Sequence, residues 1–442
     1  MARKANSERL IEARLSIGVH TGCNVDTFPT EGSDMSLQTE LDSGNYDTVI
    51  SEVRDWVEED SSAAFSDATV KRWLKMRWKD LFLSEAIQDE DALKTAGKPA
   101  GLAGALPRIG SDSRSDRQKI ADRFLKSVSA SDWELELPDA DVEINNTTLL
   151  LVPGLLSGLL HPRAHAFVDE APMIEEERGW RTLRCDAHPF RGCEANNQDI
   201  LASLDRGEGF TADQRPIEDP KPPERVWIIG YSKGGPDVFN FLVNHPEYAD
   251  RIAGVFTWAG AMSGSYTADG IYEQIKDMDT KEISDRLDQF LQMLNPGFVE
   301  KTTGLRRVDE YDIKQAFYDL RTDVREEYNR ANSETFTELG VPIFSLTGST
   351  TPLEAPAFQF MDTVKMSQFD ANNDMQLTQK QATMDIPMAT HVAMLHGHHW
   401  DIAYSPFPAH MRAVSPNLDH PFPRKAALAA SWELLAELGL ID

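Results

Sequence analysis

The feature that most constrains this chain is an apolar run that breaks at a serine between glycines and continues into a helix-forming segment. Residues 225–229 read RVWII, residues 230–235 read GYSKGG, and residues 236–243 read PDVFNFLV. A short continuous apolar run is typical of a strand that is buried on both faces. The segment therefore predicts a buried strand, a tight turn and a helix, with Ser232 at the turn.

The Gly-x-Ser-x-Gly spacing gives this turn a mechanical basis. Gly230 and Gly234 flank Ser232, with Tyr231 and Lys233 between them. Side chains at the two glycine positions would collide with neighbouring backbone in a strained turn, which only glycine avoids readily. The strain lifts the hydroxyl above the sheet, so Ser232 is the predicted nucleophile. The alternative is a glycine-rich turn whose serine only caps the helix.

Buried-type strands alternate with helices in the second part of the chain. This alternation predicts a mostly parallel central sheet with right-handed crossovers and helices on both faces. The strands are predicted at residues 134–137, 146–152, 180–185, 226–229, 254–258, 341–347 and 390–395.

Breaks in this rhythm divide the 442 residues into four parts. Residues 1–132 lack it and form a mainly helical N-terminal extension. Residues 133–265 and 340–442 are the two parts of the α/β core. Residues 266–339 turn polar and helical, which predicts an inserted helical cap or lid.

One predicted helix of the extension is strongly amphipathic. Residues 67–86 place apolar side chains at three- and four-residue spacings, with Lys71, Arg72, Lys75, Arg77 and Lys79 on or beside the other face. We interpret it as a helix docked on the core; the alternative is a basic helix that contacts a membrane surface or an acyl substrate. Gly and Pro punctuate residues 94–117, which predicts a linker.

Charge and cysteine content narrow the function classes. The formal net charge is -28, so the chain would repel phosphate backbones, and nucleic acid is not an expected partner. No run reaches the ~20 apolar residues of a transmembrane helix, and no signal-peptide pattern is present. Three cysteines, Cys23, Cys185 and Cys193, are too few for a disulfide framework, although the last two are close enough in sequence to pair. The expected location is cytoplasmic.

Three segments carry a family resemblance. Residues 230–237, His245-Pro246 and residues 255–265 resemble bacterial lipases and esterases of the α/β-hydrolase superfamily. The resemblance covers residues 140–442 and not the N-terminal third. It implies the α/β-hydrolase fold, with the predicted cap as an insertion in it, and a serine hydrolase activity.

An acyl-transfer site also needs backbone N–H groups that stabilise the oxyanion. In this fold the first donor is the residue after the nucleophile, here Lys233, and the second comes from the loop after an earlier strand. The run LLLV at residues 149–152 is followed by Pro153-Gly154. The resemblance assigns the second donor to Leu155; the alternative is a strand-ending Pro-Gly turn without a catalytic part.

The predicted general base lies in a late histidine cluster, because this fold has the chain order Ser, acid, His. Residues 396–401 read HGHHWD, and similar lipases carry the base directly before a bulky residue. The resemblance therefore favours His399, which precedes Trp400, with His398 as the alternative base. A metal site formed by His396, His398 and His399 is a further alternative, although no complete ligand set accompanies it.

The acid that orients the base is sought after the strand at 341–347. The candidates are Glu354, Asp362, Asp370, Asp374 and Asp385. Asp374 is favoured because the segment NNDMQLT resembles the Asn-Asp-Gly-x-Val segment of lipases, with Met in the place of Gly. The alternative is a calcium loop over residues 370–374, whose sixth and twelfth positions depart from the EF-hand pattern.

Together these residues predict a carboxylic ester hydrolase of the esterase or lipase type. Ser232, Asp374 and His399 would form the catalytic triad, with an acyl-enzyme intermediate and without a cofactor or a metal. The expected partner is a small-molecule or lipid ester, and the sequence does not indicate an oligomeric state. The alternatives are a thioesterase, a polyester depolymerase, or a catalytically silent hydrolase-fold binding protein.

Overall fold

A parallel β-sheet forms the centre of the computed structural model. The model describes residues 32–98, 112–135, 137–139, 147–155, 157, 165–283, 285, 310–356, 359–405 and 422–441. Within them one sheet has six strands in the order β2-β1-β3-β4-β5-β6, and all five strand pairs are parallel. The strands are β1 (Thr148–Val152), β2 (Arg181–Arg184), β3 (Val226–Tyr231), β4 (Ile252–Trp258), β5 (Ile343–Ser349) and β6 (Ala389–His396).

The strand register brings the segments that follow the strands to one edge of the sheet, which we call the carboxyl edge. Gly230 of β3 is level with Val152 of β1, and Ser349 of β5 is level with His396 of β6. Parallel strands end on the same side, and in open α/β sheets ligands bind beyond those ends. The register therefore brings the loops after β1, β3, β5 and β6 together.

Most connections between the strands contain helices. The carboxy-terminal helix packs beside β4, against the helix at residues 68–86 that precedes β1, and against the first helix after β1. After β1 the helices are α8 (Glu170–Arg178), α9 (Cys193–Arg206), α10 (Gly234–Asn244), α11 (Tyr266–Ile275), α12 (Ile313–Tyr318), α13 (Thr322–Ala331), α14 (Ser333–Glu338), α15 (Phe360–Met366), α16 (Gln379–Ala382) and α17 (Arg424–Glu437), and a 3₁₀ helix covers Pro246–Arg251.

Helices before β1 form an N-terminal helical layer. Its helices are α1 (Gly32–Ser43), α2 (Tyr46–Glu59), α3 (Ser61–Ser66), α4 (Ala68–Ala86), α5 (Glu90–Ala96), α6 (Asp116–Phe124) and α7 (Ala130–Glu134).

The layer shares its apolar core with the sheet rather than forming one of its own. The rings of Trp73 and Trp78 are fully buried, and the Trp78 indole donates a hydrogen bond to Ser431 Oγ of α17 at 3.0 Å. The Phe82 ring stacks on that of Phe422. The amphipathic helix is thus docked on the core through its apolar stripe.

Two details of this region differ from the sequence predictions. Arg77 was expected on or beside the polar face of α4, but its side chain is fully buried and pairs with Glu437 and Asp80. Residues 134–137 were expected to form a strand. Glu134 instead ends helix α7, because the Ser129 capping box starts a helical turn that runs to this residue. Of the predicted linker, residues 99–111 lie outside the described residues, as does Cys23.

None of the described helices combines the length and apolar character needed to cross a lipid bilayer. The division of the chain into four parts remains a prediction, and residues 286–309 of the predicted cap lie outside the described residues.

Candidate active site

Ser232 occupies a strained turn at the end of β3. Its φ is 53°, in the left-handed region that L-residues other than Asn and Asp seldom adopt. Glycine is required on both sides of it, because a Cβ on Gly230 would lie 2.8 Å from Gly235 Cα and one on Gly234 would lie 2.2 Å from Val152 O. Backbone strain of this kind costs about 1–3 kcal/mol and concentrates at functional sites.

Three side chains of the carboxyl edge form a hydrogen-bonded row. His399 Nε2 lies 2.9 Å from Ser232 Oγ, and His399 Nδ1 lies 2.8 Å from Asp374 Oδ2. The imidazole and the carboxylate are almost completely buried. This arrangement fixes the tautomer in which Nδ1 carries the proton and Nε2 can accept one from the serine hydroxyl.

The loop after β5 holds the Asp374 carboxylate in place. Its Oδ1 accepts hydrogen bonds from the N–H groups of Gln376 and Leu377 at 2.9 and 2.7 Å, which leaves Oδ2 to face the imidazole. The His399 N–H donates to the Asp374 carbonyl at 2.9 Å, so backbone and side chain both tie the two residues together. Met375, the residue that replaces the glycine of similar lipases, has a φ of 75°.

The other acid candidates have different partners. Glu354 lies 3.2 Å from the His396 ring, and Asp370 accepts the N–H groups of Asn372 and Gln379 within its own loop. Asp362 lies exposed on α15 beside Lys365. Asp374 is therefore the candidate that reaches His399.

The neighbouring histidines point to separate partners. His398 is completely buried, its Nδ1 accepts the N–H groups of Trp400 and Asp401, and burial lowers its pKa to about 3. It therefore supports its own turn, whereas His399 reaches Ser232. Among the described residues no three His, Cys, Asp or Glu side chains are grouped so as to hold a metal ion.

Two aromatic residues fix the loop that carries His399, and neither was expected to do so from the sequence. The Tyr231 hydroxyl donates to the His399 carbonyl at 2.9 Å, and its ring lies 5.2 Å from the imidazole. The Trp258 indole donates to the Ile402 carbonyl at 2.9 Å. Because Tyr231 ends β3 and Trp258 ends β4, both beside the turn at Ser232, a buried Tyr or Trp at a strand end is the signal that would have indicated them.

The two predicted oxyanion donors flank Ser232. Gly154 lies so close to Ser232 that a Cβ on it would be 2.7 Å from Ser232 Cβ, which places the following residue, Leu155, beside the site. Lys233 directly follows Ser232 and begins the first turn of α10. In the part of the chain that the structure describes, neither the Leu155 N–H nor the Lys233 N–H donates to another protein group.

Apolar side chains surround the Leu155 side of the site. The Leu155 and Phe317 side chains are partly buried and pack against two small apolar clusters. The first cluster contains Phe190, Ile275, Ile283 and Ile313, and the second contains Ala261, Ala268, Leu320, Leu377 and Ala382. Helices α11 and α12, from the segment predicted as a cap, thus contribute apolar surface close to the predicted oxyanion donor.

The Lys233 side chain turns away from solvent. It is completely buried and forms an ion pair with Asp237, one helical turn later. Burial lowers the pKa of Lys233, but the Asp237 carboxylate, together with the nearby Cys193 and Asp319, raises that pKa overall. The nearby Cys193 and Cys185 are buried free thiols, and the disulfide left open by the sequence is not formed.

Comparisons with known proteins show the fold. No family model and no curated protein matches the chain. The solved structure of a metagenomic carboxyl esterase is similar to it with a TM-score of 0.54 and 19% identity, over 81% of this chain and 90% of that one.

Two further solved structures have TM-scores under 0.5. Bacillus licheniformis lipase BlEst2 in mature form gives 0.37 at 20% identity, over 60% of this chain and 88% of that one. EstA from Clostridium botulinum gives 0.38 at 12% identity, over 80% and 98%. The sheet order, the turn at Ser232 and the likeness to the metagenomic structure together show that this chain has the α/β-hydrolase fold.

Proposed function

We propose that this protein is a serine hydrolase that cleaves carboxylic esters. The observation that carries the proposal is the buried row in which His399 hydrogen-bonds Ser232 Oγ at 2.9 Å and Asp374 Oδ2 at 2.8 Å. A nucleophile, a base and an orienting carboxylate in this order are recognised by their geometry and roles rather than by sequence position.

Acylation follows from the positions of these groups. His399 Nε2 removes the proton from Ser232 as Oγ attacks the ester carbonyl, and the Asp374 carboxylate stabilises the imidazolium that forms. The oxyanion accepts hydrogen bonds from the N–H groups of Leu155 and Lys233, which have no acceptor among the described residues. His399 then gives its proton to the leaving alcohol.

Deacylation reverses these roles. His399 removes a proton from water, the hydroxide attacks the acyl group on Ser232, and the carboxylic acid leaves as Oγ recovers its proton. These steps use side-chain and backbone groups of the chain itself, so the proposed reaction requires neither a cofactor nor a metal.

The apolar clusters beside Leu155 favour an ester with an apolar acyl or alcohol part. The likeness to a metagenomic carboxyl esterase also agrees with ester substrates. A thioesterase or a polyester depolymerase would use the same groups, and a silent binding protein would not need the 2.9 Å contact between His399 and Ser232.

A fluorophosphonate probe tests the proposal directly, because it phosphonylates only an activated serine. We expect labelling of the wild-type protein and of Ser43→Ala, a surface control on α1, and no labelling of Ser232→Ala. Turnover of p-nitrophenyl esters from acetate to palmitate, beside matched thioesters and a polyester film, identifies the preferred substrate.

A folded wild-type protein that neither reacts with the probe nor turns over any ester would contradict the proposal and favour the binding protein. Equal labelling of Ser232→Ala would assign the reactivity to another serine.

A further inference from the structure

Lys233, the residue after the proposed nucleophile, forms a buried ion pair with Asp237 that takes no part in the proposed proton transfers. Lys233 Nζ lies 2.6 and 2.8 Å from the two carboxylate oxygens of Asp237, and each side chain is about 1% exposed. Desolvation of two charges costs as much as their attraction commonly returns, so well-packed apolar residues often serve stability equally well. Burial therefore does not by itself establish that the pair serves stability.

The pair continues into a chain of buried polar groups. Asn196 Nδ2 donates to Asp237 Oδ2 at 2.9 Å, and Arg191 Nε donates to Asn196 Oδ1 at 3.1 Å. The guanidinium of Arg191 also bonds the carboxylates of Asp199 and Glu310. The network thus connects the first turn of α10 with α9, and through Arg191 with the segment predicted as a cap.

A second link joins the same elements. The Asp319 carboxylate, at the end of α12, accepts the N–H of Cys193 at the start of α9 at 2.6 Å, and Asn196 Nδ2 also donates to the His188 carbonyl at 3.1 Å. The His188 ring contacts that of Tyr311 edge to face at 4.6 Å. Helix α9 is therefore held on the side of α10 and on the side of the cap segment.

Lys233 connects this network to the reaction, because its backbone N–H is a proposed oxyanion donor. Its side chain spans the first helical turn after the strained Ser232, so its ion pair fixes the turn that carries the N–H. We propose that Lys233, Asp237, Asn196 and Arg191 form a positioning network that orients the Lys233 N–H toward the oxyanion. This inference rests on the proposed function.

The size of the expected effect follows from how precisely an enzyme must position its catalytic groups. Catalytic groups must be held within about 0.5 Å and 10–20° of their productive geometry. Complete loss of one oxyanion donor costs ~10²–10³ in kcat. Loss of orientation while the N–H remains is expected to cost part of this, about tenfold to 100-fold.

The test replaces both charges at once, with Lys233→Met and Asp237→Leu in one protein. Apolar side chains of similar size keep the volume filled, so we expect a thermal midpoint equal to or above that of the wild type. We expect kcat for a p-nitrophenyl ester to fall about tenfold to 100-fold with KM nearly unchanged, because the oxyanion forms only in the transition state. The rate of fluorophosphonate labelling is expected to fall in parallel.

The matched control removes a buried ion pair between the N-terminal helical layer and α17, with Arg77→Met and Glu437→Leu in one protein. Its kcat is expected to equal that of the wild type. If the first double variant does not fold, Lys233→Met with Asp237→Asn keeps an amide partner for Asn196 and gives the same test.

A folded double variant with wild-type kcat overturns the inference, and so does a rise in KM at unchanged kcat. An equal fall of kcat in the control also overturns it, since the effect would then be general to buried pairs. In these cases the wild type is active and the proposed function stands. A wild type without labelling or turnover contradicts the proposed function, and this inference with it.

Discussion

Two clusters of buried charges in this protein have similar chemistry and different surroundings. Where the N-terminal helical layer meets α17, Arg77 lies between Asp80 and Glu437 at 2.9 and 2.5 Å, and Arg117 also pairs with Asp80. At the carboxyl edge, Lys233 and Asp237 form the corresponding pair. Burial of a charged pair therefore does not by itself indicate a role in the reaction. We expect the distance between the pair and the reacting groups to determine whether it has such a role.

The surroundings of the two clusters explain why their roles differ. Large apolar rings pack around the N-terminal cluster, among them the fully buried Trp73 and Trp78. Close to the second cluster the chain has closely packed glycines and a serine with a φ of 53°. Changes in the first region should therefore alter the free energy of unfolding, and changes in the second should alter the rate.

The largest effect is expected for Asp374→Asn. The asparagine oxygen would keep the N–H groups of Gln376 and Leu377, so its NH₂ group would face His399 Nδ1 and force the proton onto Nε2. The ring could then no longer accept the serine proton, and kcat is expected to fall about 10⁴-fold at unchanged thermal midpoint. Steady-state ester hydrolysis measures it.

Asp370→Asn, in the same loop, is the control and should retain most of the activity. A fall of less than tenfold for Asp374→Asn would exclude it as the acid and reopen the choice among the other carboxylates.

Trp78→Ala should lower the stability and leave the rate unchanged, the reverse of what we expect for Asp374→Asn. Removal of its buried ring, which stacks on Phe82 at 5.4 Å, leaves a cavity and should lower the free energy of unfolding by about 3–5 kcal/mol. The kcat per folded molecule should stay unchanged. Urea unfolding and active-site titration with the probe give the two quantities, and Trp56→Ala, at a partly buried ring of α2, should cost less. A large loss of kcat in the folded variant would mean that the layer also shapes the site.

Gly154→Ala tests how closely the loop after β1, which carries the proposed oxyanion donor Leu155, approaches Ser232. The new methyl group would lie 2.7 Å from Ser232 Cβ and 3.3 Å from its Oγ, so the loop must shift. We expect kcat to fall about tenfold to 100-fold, as for a misplaced oxyanion donor. Gly97→Ala, where the same atom meets only contacts of 3.6 Å in the N-terminal helical layer, should leave kcat unchanged. A wild-type kcat in Gly154→Ala would show that the loop after β1 takes no part in the reaction.

His398→Asn is expected to have the smallest effect, on stability alone. Burial lowers the pKa of His398 to about 3, against 6.5 in the unfolded chain. Between these two pKa values the His398 imidazole binds a proton in the unfolded chain but not in the folded protein. Stability is therefore lost as the pH falls below 6.5. Asparagine keeps an acceptor for the Trp400 and Asp401 N–H groups but does not titrate.

Between pH 7 and pH 5 the wild type should therefore lose about 2 kcal/mol more stability than His398→Asn, by urea unfolding at each pH. Equal losses would show that other groups dominate the acid sensitivity. A large fall in the kcat of His398→Asn at pH 7 would instead point to His398 as the base.

The sequence by itself determined the strand, turn and helix around Ser232, because an apolar run and two glycines at fixed spacing constrain the backbone locally. It also predicted the parallel sheet, since strand and helix periodicities are local properties of the chain. Asp374 and His399 were singled out only through a resemblance, because local pattern alone does not tell which of five carboxylates meets which histidine.

Tertiary structure decided the pairings between distant residues. It brought Asp374 rather than Glu354 to His399, buried Arg77 against Glu437 from the far end of the chain, and turned Lys233 inward to Asp237. It also placed the Tyr231 hydroxyl against the carbonyl of His399. The physical reason is that charge pairing and hydrogen bonding depend on distances in space, which strand order and helix docking set and which spacing along the chain does not encode.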